Sequence, residues 1–420
     1  MNRHFAVYKH DFITADSLFI TRQFIVLIKE DGTKQFTNFH RYVKNPKRRV
    51  KKVTESGNNR FYFVVKLLNY AFFYAGISSL DDLNVQIVES FLNDYGLCEL
   101  PDDDDGTTRT ESTVKQCVTY IMDFLEVYIV DRKGKAGMVA DDLYRYENKR
   151  DPRGKLIRVK VPRFDVHYTG KKHTIYRDIP NKAFNMLLEQ IILHHKDILG
   201  LVMLQSFVGL RPAEACNVRR IDSPLGPGFE FEIINGKLTG AKIDLKTELN
   251  LRSDYVRVGK IKKEREQIVP PFFLSIFQKI YNIYIEYLNE QPFEADYGPF
   301  SVNRQGKAYT YAAYRDKFQT IIREEMIPLY LSSNDPELII YGQTLMEHRL
   351  SPHVFRHWYT VQLVLSGEND PKMLMHYRGD KSPESAITYL NNKSELAKRY
   401  ELVNNETFDY LKWAADKRYS

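Results

Sequence analysis

Gly209-Leu210-Arg211-Pro212-Ala213-Glu214 is the stretch on which the reading of this chain turns. An apolar run over residues 199–208 precedes it, which predicts a buried helix ending at Gly209. Arg211 then follows just past a helix end. Two stretches downstream complete the pattern. Pro352-His353-Val354-Phe355-Arg356-His357 offers an imidazole and a second guanidinium, and Ser385-Ala386-Ile387-Thr388-Tyr389-Leu390 offers a phenol. Such a set suits phosphodiester chemistry without metal or nucleotide. Guanidinium forks match phosphate oxygens, an imidazole moves protons near neutral pH, and a phenol oxygen can attack phosphorus.

Working outward, the 420 residues exceed one typical domain, so two or three are expected. The apolar share is 43% and the aromatic share 13%, enough to fill real cores and to argue against long disorder. Lys and Arg outnumber Asp and Glu by 61 to 54, a mild basic excess that permits nucleic-acid binding without establishing it. Three cysteines, Cys98, Cys117 and Cys216, form no CxxC pair, which reads as structural thiols in a reducing compartment, not a zinc site. The first residues lack a signal-peptide apolar core, and no run reaches a membrane span. A soluble, cytoplasmic protein with no membrane partner is expected.

Along the chain, residues 24–28 read as a strand, Asp31-Gly32 as a hairpin turn and 34–39 as the returning strand. Arg41, Lys44, Lys47, Arg48, Arg49, Lys51 and Lys52 follow with no acid among them. They are either a solvated face or a phosphate-gripping arm whose binding falls steeply with salt. Residues 61–72, 80–95 and 114–130 carry helical periodicity. Between the last two, an acidic loop with four consecutive aspartates, Asp102 to Asp105, is expected to face away from a phosphate backbone. Residues 131–178 read as a hinge in which 155–161 is extended. Beyond it, helices are predicted over 181–194 and 199–208. Strands follow over 229–234, 242–245, 255–258 and 267–269, and then a helix from Pro270-Pro271 to about 288.

The order of these pieces resembles the catalytic domain of the tyrosine recombinase, or phage integrase, family over roughly residues 175–400. Gly209-Leu210-Arg211-x-x-Glu214 looks like the family's first arginine box, with Glu214 as the structural helper. His353-x-x-Arg356-His357 looks like the second box, and Tyr389 follows Arg356 by 33 residues, a spacing similar to the family's. Val258-Gly259-Lys260-Ile261-Lys262-Lys263-Glu264-Arg265 looks like the hairpin that carries the family's lysine. Each piece alone is weak; four in order are strong. One position departs from the pattern. Asp380, after Gly379 and nine residues before Tyr389, stands where the family usually has histidine or tryptophan. A carboxylate beside a phosphate is repulsive unless protonated or paired with arginine, so Asp380 is expected to orient Arg356 or His353.

The resemblance implies a multidomain, mainly α protein with small β-sheets. Residues 1–56 would form a small N-terminal unit in the place of an arm-type DNA-binding domain, and 57–165 a helical core-DNA-binding domain. Residues 175–403 would form the mixed α+β catalytic domain and 404–420 a tail helix. It implies Tyr389 as nucleophile, Arg211 and Arg356 as phosphate clamps, His353 as proton handler and Lys260 as general acid. Lys262 and Lys263 would serve as DNA contacts or reserves. No cofactor is required, because a phosphotyrosine ester keeps the bond energy for resealing. The implied activity is site-specific recombination or integration for a bacterial phage or mobile element, in the nucleoid. The implied partners are double-stranded DNA, a homotetrameric synapse and DNA-bending accessory proteins. A type IB-like topoisomerase and a catalytically inactive regulator of the same fold are the alternatives.

The tail, 406–417, sets Phe408, Leu411 and Ala415 on one helical side and Tyr410 and Trp413 on the other, two surfaces to bury. It either packs on its own domain or docks on a neighbouring protomer. Deleting residues 404–420 separates these: a monomeric enzyme that still cleaves indicates docking in trans, and an insoluble one indicates packing in cis.

Overall fold

The computed structural model describes residues 3–46, 59–103, 108–150, 154, 156–170, 178–246, 249–291, 295, 297–380 and 382–391. Lys47, Arg48, Arg49, Lys51, Lys52 and the tail 404–420 lie outside the described residues. The chain divides into two units. One comprises Met1–Phe12 and Ile20–Thr174, and the other Ile13–Phe19 and Ile175–Ser420. Among the described residues, no helix is long and apolar enough to cross a membrane.

In the first unit, β1 (His4–Ile13), β2 (Phe19–Ile28) and β3 (Lys34–Phe36) form one sheet in that order. β2 and β3 pair antiparallel across the turn predicted at Asp31-Gly32. There Gly32 takes φ +81°, and the Asp31 carboxylate accepts from Thr33 N–H at 2.8 Å. The helices are α1 (Arg60–Asn69), α2 (Val85–Leu97), α3 (Glu111–Arg132) and α4 (Ala140–Leu143). The helix predicted over 80–95 is split. Leu80–Asp82 is a 3₁₀ turn, and α2 starts afresh because the Asn84 side chain accepts from Ile87 N–H at 3.0 Å and caps it. The separate small unit expected over 1–56 is not separate. Phe5, Ile25, Leu27 and Val43 share one core with Phe61, Leu68, Phe91 and Phe124, and Asn69 bonds both backbone groups of Phe5.

Part of the stretch read as a hinge is a pair of strands. β4 (Tyr144–Arg150) pairs antiparallel with β5 (Leu156–Pro162), and Lys160 and Tyr144 both reach Glu126 on α3. Of the acidic loop, Asp103 is taken up by an ion pair with Arg109, whose guanidinium lies 4.0 Å over the Tyr95 ring.

Among the described residues, the second unit is a helical body with one small sheet. Its elements are α5 (Asn181–His194), α6 (Lys196–Ser206), α7 (Pro212–Ala215), β6 (Phe229–Ile234), β7 (Lys237–Leu245), β8 (Arg265–Ile268), α8 (Leu274–Asn289), α9 (Tyr311–Thr320), α10 (Ile327–Leu331), α11 (Pro336–Glu347), α12 (His353–Leu365), α13 (Pro371–Arg378) and α14 (Glu384–Asn391). The sheet runs β6-β7-β8, antiparallel throughout. The strand predicted over 255–258 is absent. Tyr255 sits at φ +59°, and the Asp254 carboxylate holds Arg252 while accepting from Val256 N–H, which closes a turn where a strand would need extension.

α6 and α12 are the central elements. Every residue from Asp197 to Ser206 is buried, as are ten of the thirteen in α12. A helix buried on all sides must satisfy its polar groups internally. Asp197 does so by accepting from Tyr309 Oη at 2.5 Å and Lys317 Nζ at 2.6 Å. Trp358 of α12 stacks on Phe184 of α5 at 3.9 Å and donates its indole N–H to Asn181 at 3.1 Å. Truncating so large a buried ring leaves a cavity, so Trp358→Ala should cost about 3–5 kcal/mol, read as a fall in the urea unfolding free energy.

Candidate active site

The turn after α6 is built around Gly209, whose φ of +71° suits glycine and where a Cβ would overlap the Tyr359 ring. Its carbonyl accepts from Arg356 Nη1, so the α6–α7 turn and α12 are tied by one hydrogen bond. Arg211 sits just beyond, at the N-terminus of α7. It donates through Nη1 to Glu214 Oε1 at 3.0 Å and through Nη2 to Asp380 Oδ1 at 2.5 Å. Arg356 Nη2 reaches the same Asp380 oxygen at 2.8 Å. The two arginines singled out in the sequence, 145 residues apart, thus converge on one anion.

Two further arginines, not singled out from sequence, complete the cluster. Arg378, the last residue of α13, donates through Nε to Asp380 Oδ2 at 2.7 Å and also bonds Thr360. Arg265, at the start of β8, donates to Glu214 Oε2 at 2.8 Å. It lies so close to Gly379 that a Cβ there would overlap its guanidinium, and Gly379 also has φ +58°. Glu214 is wholly buried, and Asp380 nearly so. Four guanidiniums therefore face two carboxylates, an excess of two positive charges before any ligand arrives.

The charge states follow from the surroundings. Burial raises the Glu214 carboxyl, but hydrogen bonding to Arg265 and the fields of Arg265, Arg211 and Arg356 outweigh it, so the net shift is downward. Asp380 is likewise raised by burial and lowered further by Arg356, Arg378 and Arg211. Burial first, then the neighbouring Arg378 and Arg211, push the Arg356 guanidinium down to about 9, with Asp380 and Glu214 opposing. It stays charged at neutral pH.

The lysines lie on the long connection between β7 and β8, just before β8. Val258 and Ile261 are buried and Lys260, Lys262 and Lys263 exposed. The Val258 carbonyl accepts from Tyr311 N–H at 2.7 Å, and Lys262 N–H points at Glu214 Oε1 at 3.4 Å. A Cβ on Gly259 would overlap the Ala213 carbonyl. Lys260 is therefore presented from backbone pinned on both sides.

Tyr389 lies on α14, half-buried, with the Arg378 guanidinium 5.0 Å from its ring centroid. Its hydroxyl is 2.6 Å from His357 Nδ1. His353 is exposed at the first position of α12, so the imidazole brought to the phenol is the one a helical turn later. The signal for His357 was present in the sequence. Neighbouring helical residues point about 100° apart, so Arg356 and His357 can serve different partners from one turn. Arg41 and Lys44, in the first unit, are exposed. Among the described residues, no group of three or more His, Cys, Asp or Glu could hold a metal.

No family model matches the chain, and no curated protein matches it. Among solved structures it is similar to the XerH site-specific recombinase bound to its difH substrate in a pre-cleavage complex. Identity there is 17% over 82% of this chain and 79% of that chain, with a TM-score of 0.42. It is similar to the Tn1549 transposon integrase in complex with transposon right-end DNA, at 16% identity over 86% of this chain and 96% of that chain, with a TM-score of 0.48. The integrase from mycobacterium phage Brujita is 11% identical over 84% of this chain and 90% of that chain, with a TM-score of 0.29.

Depressed carboxylates contribute stability that is present above their unfolded-state pKa and lost as pH falls through the folded value. Stability should therefore drop as pH falls below about 4. Asp380→Asn should make that drop shallower while lowering stability at neutral pH, since three guanidiniums lose their shared counter-charge. Urea unfolding midpoints from neutral to acid pH test both directions.

Proposed function

We propose that the protein is a site-specific DNA recombinase of the tyrosine type, working for a bacterial phage or mobile element through a 3′-phosphotyrosine intermediate. The observation that carries this reading is the convergence of Arg211 and Arg356 on a single anion, Asp380, beside the Tyr389 phenol. Forks that grip one carboxylate oxygen also suit the oxygens of a phosphodiester and the extra charge of its transition state. Tyr389 Oη passes its proton to a histidine of the α12 N-terminal turn and bonds to phosphorus, and the bond from phosphorus to the 5′ oxygen breaks. That oxygen leaves with a proton from Lys260. Attack by a 5′-hydroxyl on the phosphotyrosine reverses the sequence and reseals the strand.

Lys262 and Lys263 contact the DNA flanking the scissile phosphate, and Arg41 and Lys44 contribute backbone contacts from the first unit, with Lys47, Arg48, Arg49, Lys51 and Lys52. The substrate is double-stranded DNA at specific sites, held by four protomers, with DNA-bending proteins as accessories.

One observation favours a second reading, a DNA-binding regulator without catalysis: the Asp380 carboxylate fills the arginine fork and repels a phosphate unless it stays paired. A third, a type IB-like topoisomerase, shares the chemistry. Denaturing gels on nicked DNA from the region flanking the coding sequence decide among them. The wild-type protein should give a covalent adduct, Tyr389→Phe none, and Arg211→Lys roughly 10²–10³-fold less. A wild-type protein that binds but forms no adduct favours the regulator. Efficient relaxation of a plasmid lacking that region favours the topoisomerase.

A further inference from the structure

We propose that His357 is the general base that takes the phenol proton of Tyr389, and that Asp178 is the positioning residue that sets its tautomer. The inference rests on the functional reading above. His357 Nδ1 lies 2.6 Å from Tyr389 Oη, within the reach a proton transfer requires. On the far side of the ring, Nε2 lies 3.0 Å from Asp178 Oδ1. That nitrogen is buried and makes no well-formed hydrogen bond, so the carboxylate acts on it at ion-pair distance.

A proton on Nε2 facing a carboxylate leaves the Nδ1 lone pair facing the phenol. This is the arrangement a base needs, and it parallels the logic by which a carboxylate holds a histidine against a hydroxyl nucleophile. Among the described residues, Tyr389 from α14 and Asp178 from the segment before α5 meet the ring nitrogens, and His353 lies one turn earlier on α12. Arg378, at the end of α13, lies over the phenol. The Arg378 guanidinium favours the phenolate that forms, and the Asp178 carboxylate favours the imidazolium.

The step balances. The phenol O–H bond breaks, its proton goes to His357 Nδ1 and its electron pair goes to phosphorus. The bond to the 5′ oxygen breaks, and Lys260 supplies that oxygen's proton. On resealing, His357 returns its proton to the departing phenol oxygen.

The test uses the full chain and a nicked duplex carrying the cleavage site mapped with wild-type protein on DNA flanking its coding sequence. The duplex is made once with oxygen and once with sulfur bridging phosphorus and the 5′ carbon. Sulfur leaves without a proton, so it should rescue Lys260→Ala and leave a base defect untouched. His357→Gln keeps a hydrogen-bond acceptor but cannot take the proton. Adduct formation should fall about 10²–10⁴-fold on both duplexes, with unchanged DNA binding, and the acid limb of the pH profile should vanish.

Asp178 is 41% exposed, so Asp178→Asn is a mild second variant. Losing the carboxylate disfavours the imidazolium, so its acid limb should move to lower pH. His357→Gln cleaving at the wild-type rate, or being rescued by sulfur, overturns the assignment of the base. An acid limb unmoved in Asp178→Asn removes Asp178 from it. A wild-type protein without adduct sinks the recombinase reading instead, and Tyr389→Phe distinguishes that case.

Discussion

Four guanidiniums cannot gather in a buried pocket without anions to hold them there. In this protein Glu214 and Asp380 supply them, and most of the site geometry depends on those two carboxylates. Glu214 joins the turn after α6 to β8, because Arg211 and Arg265 both donate to it. Asp380 joins the same turn to α12 and α13 through Arg211, Arg356 and Arg378. Removing one member of such a buried set leaves its partners uncompensated, which is why breaking a buried ion pair costs far more than the pair is worth on balance. The arginines are thereby held in position before a ligand is present, and a preorganised positive site stabilises developing charge without reorganising during the reaction.

Asp380 is the residue whose meaning changed most between sequence and structure. Read along the chain, a carboxylate at this place is an anomaly beside motifs that resemble phosphate clamps. In the fold it is the common ligand of three guanidiniums. Its pairing accounts for the charge without invoking protonation, and Arg356 is one of the groups it bonds. Asp380 also bonds Arg211 and Arg378.

The second unit was readable where local pattern dominates. α5 and β6 fall on the predicted bounds because Pro180 opens one and alternating apolar residues define the other. Arg211, Arg356 and Tyr389 were legible from motif order. Arg265 and Arg378 were not, since each acts through a partner, or a packing neighbour, set by tertiary structure alone. Arg265 meets Glu214 across 51 residues and packs on Gly379, and Arg378 was hidden among ordinary helix-end cations. The strand missing at 255–258 had suitable residues; the ion pair of Arg252 with Asp254 overrode them. The shared core of the sheet and the helices in the first unit was invisible for the same reason: nothing local says that Phe5 will meet Phe72 at 5.3 Å.

The connection from β7 to β8 is anchored at its downstream end, by the Val258 carbonyl on Tyr311, Gly259 on Ala213 and the buried Ile261. Upstream, Tyr255 and Val256 are largely exposed. Just before them Leu251 is buried, Arg252 donates to the Ala308 carbonyl at 2.8 Å and Lys307 donates to Asp254 at 3.1 Å. The exposed stretch is thus a short arch between two anchored ends, and Lys260 is carried on one of those ends.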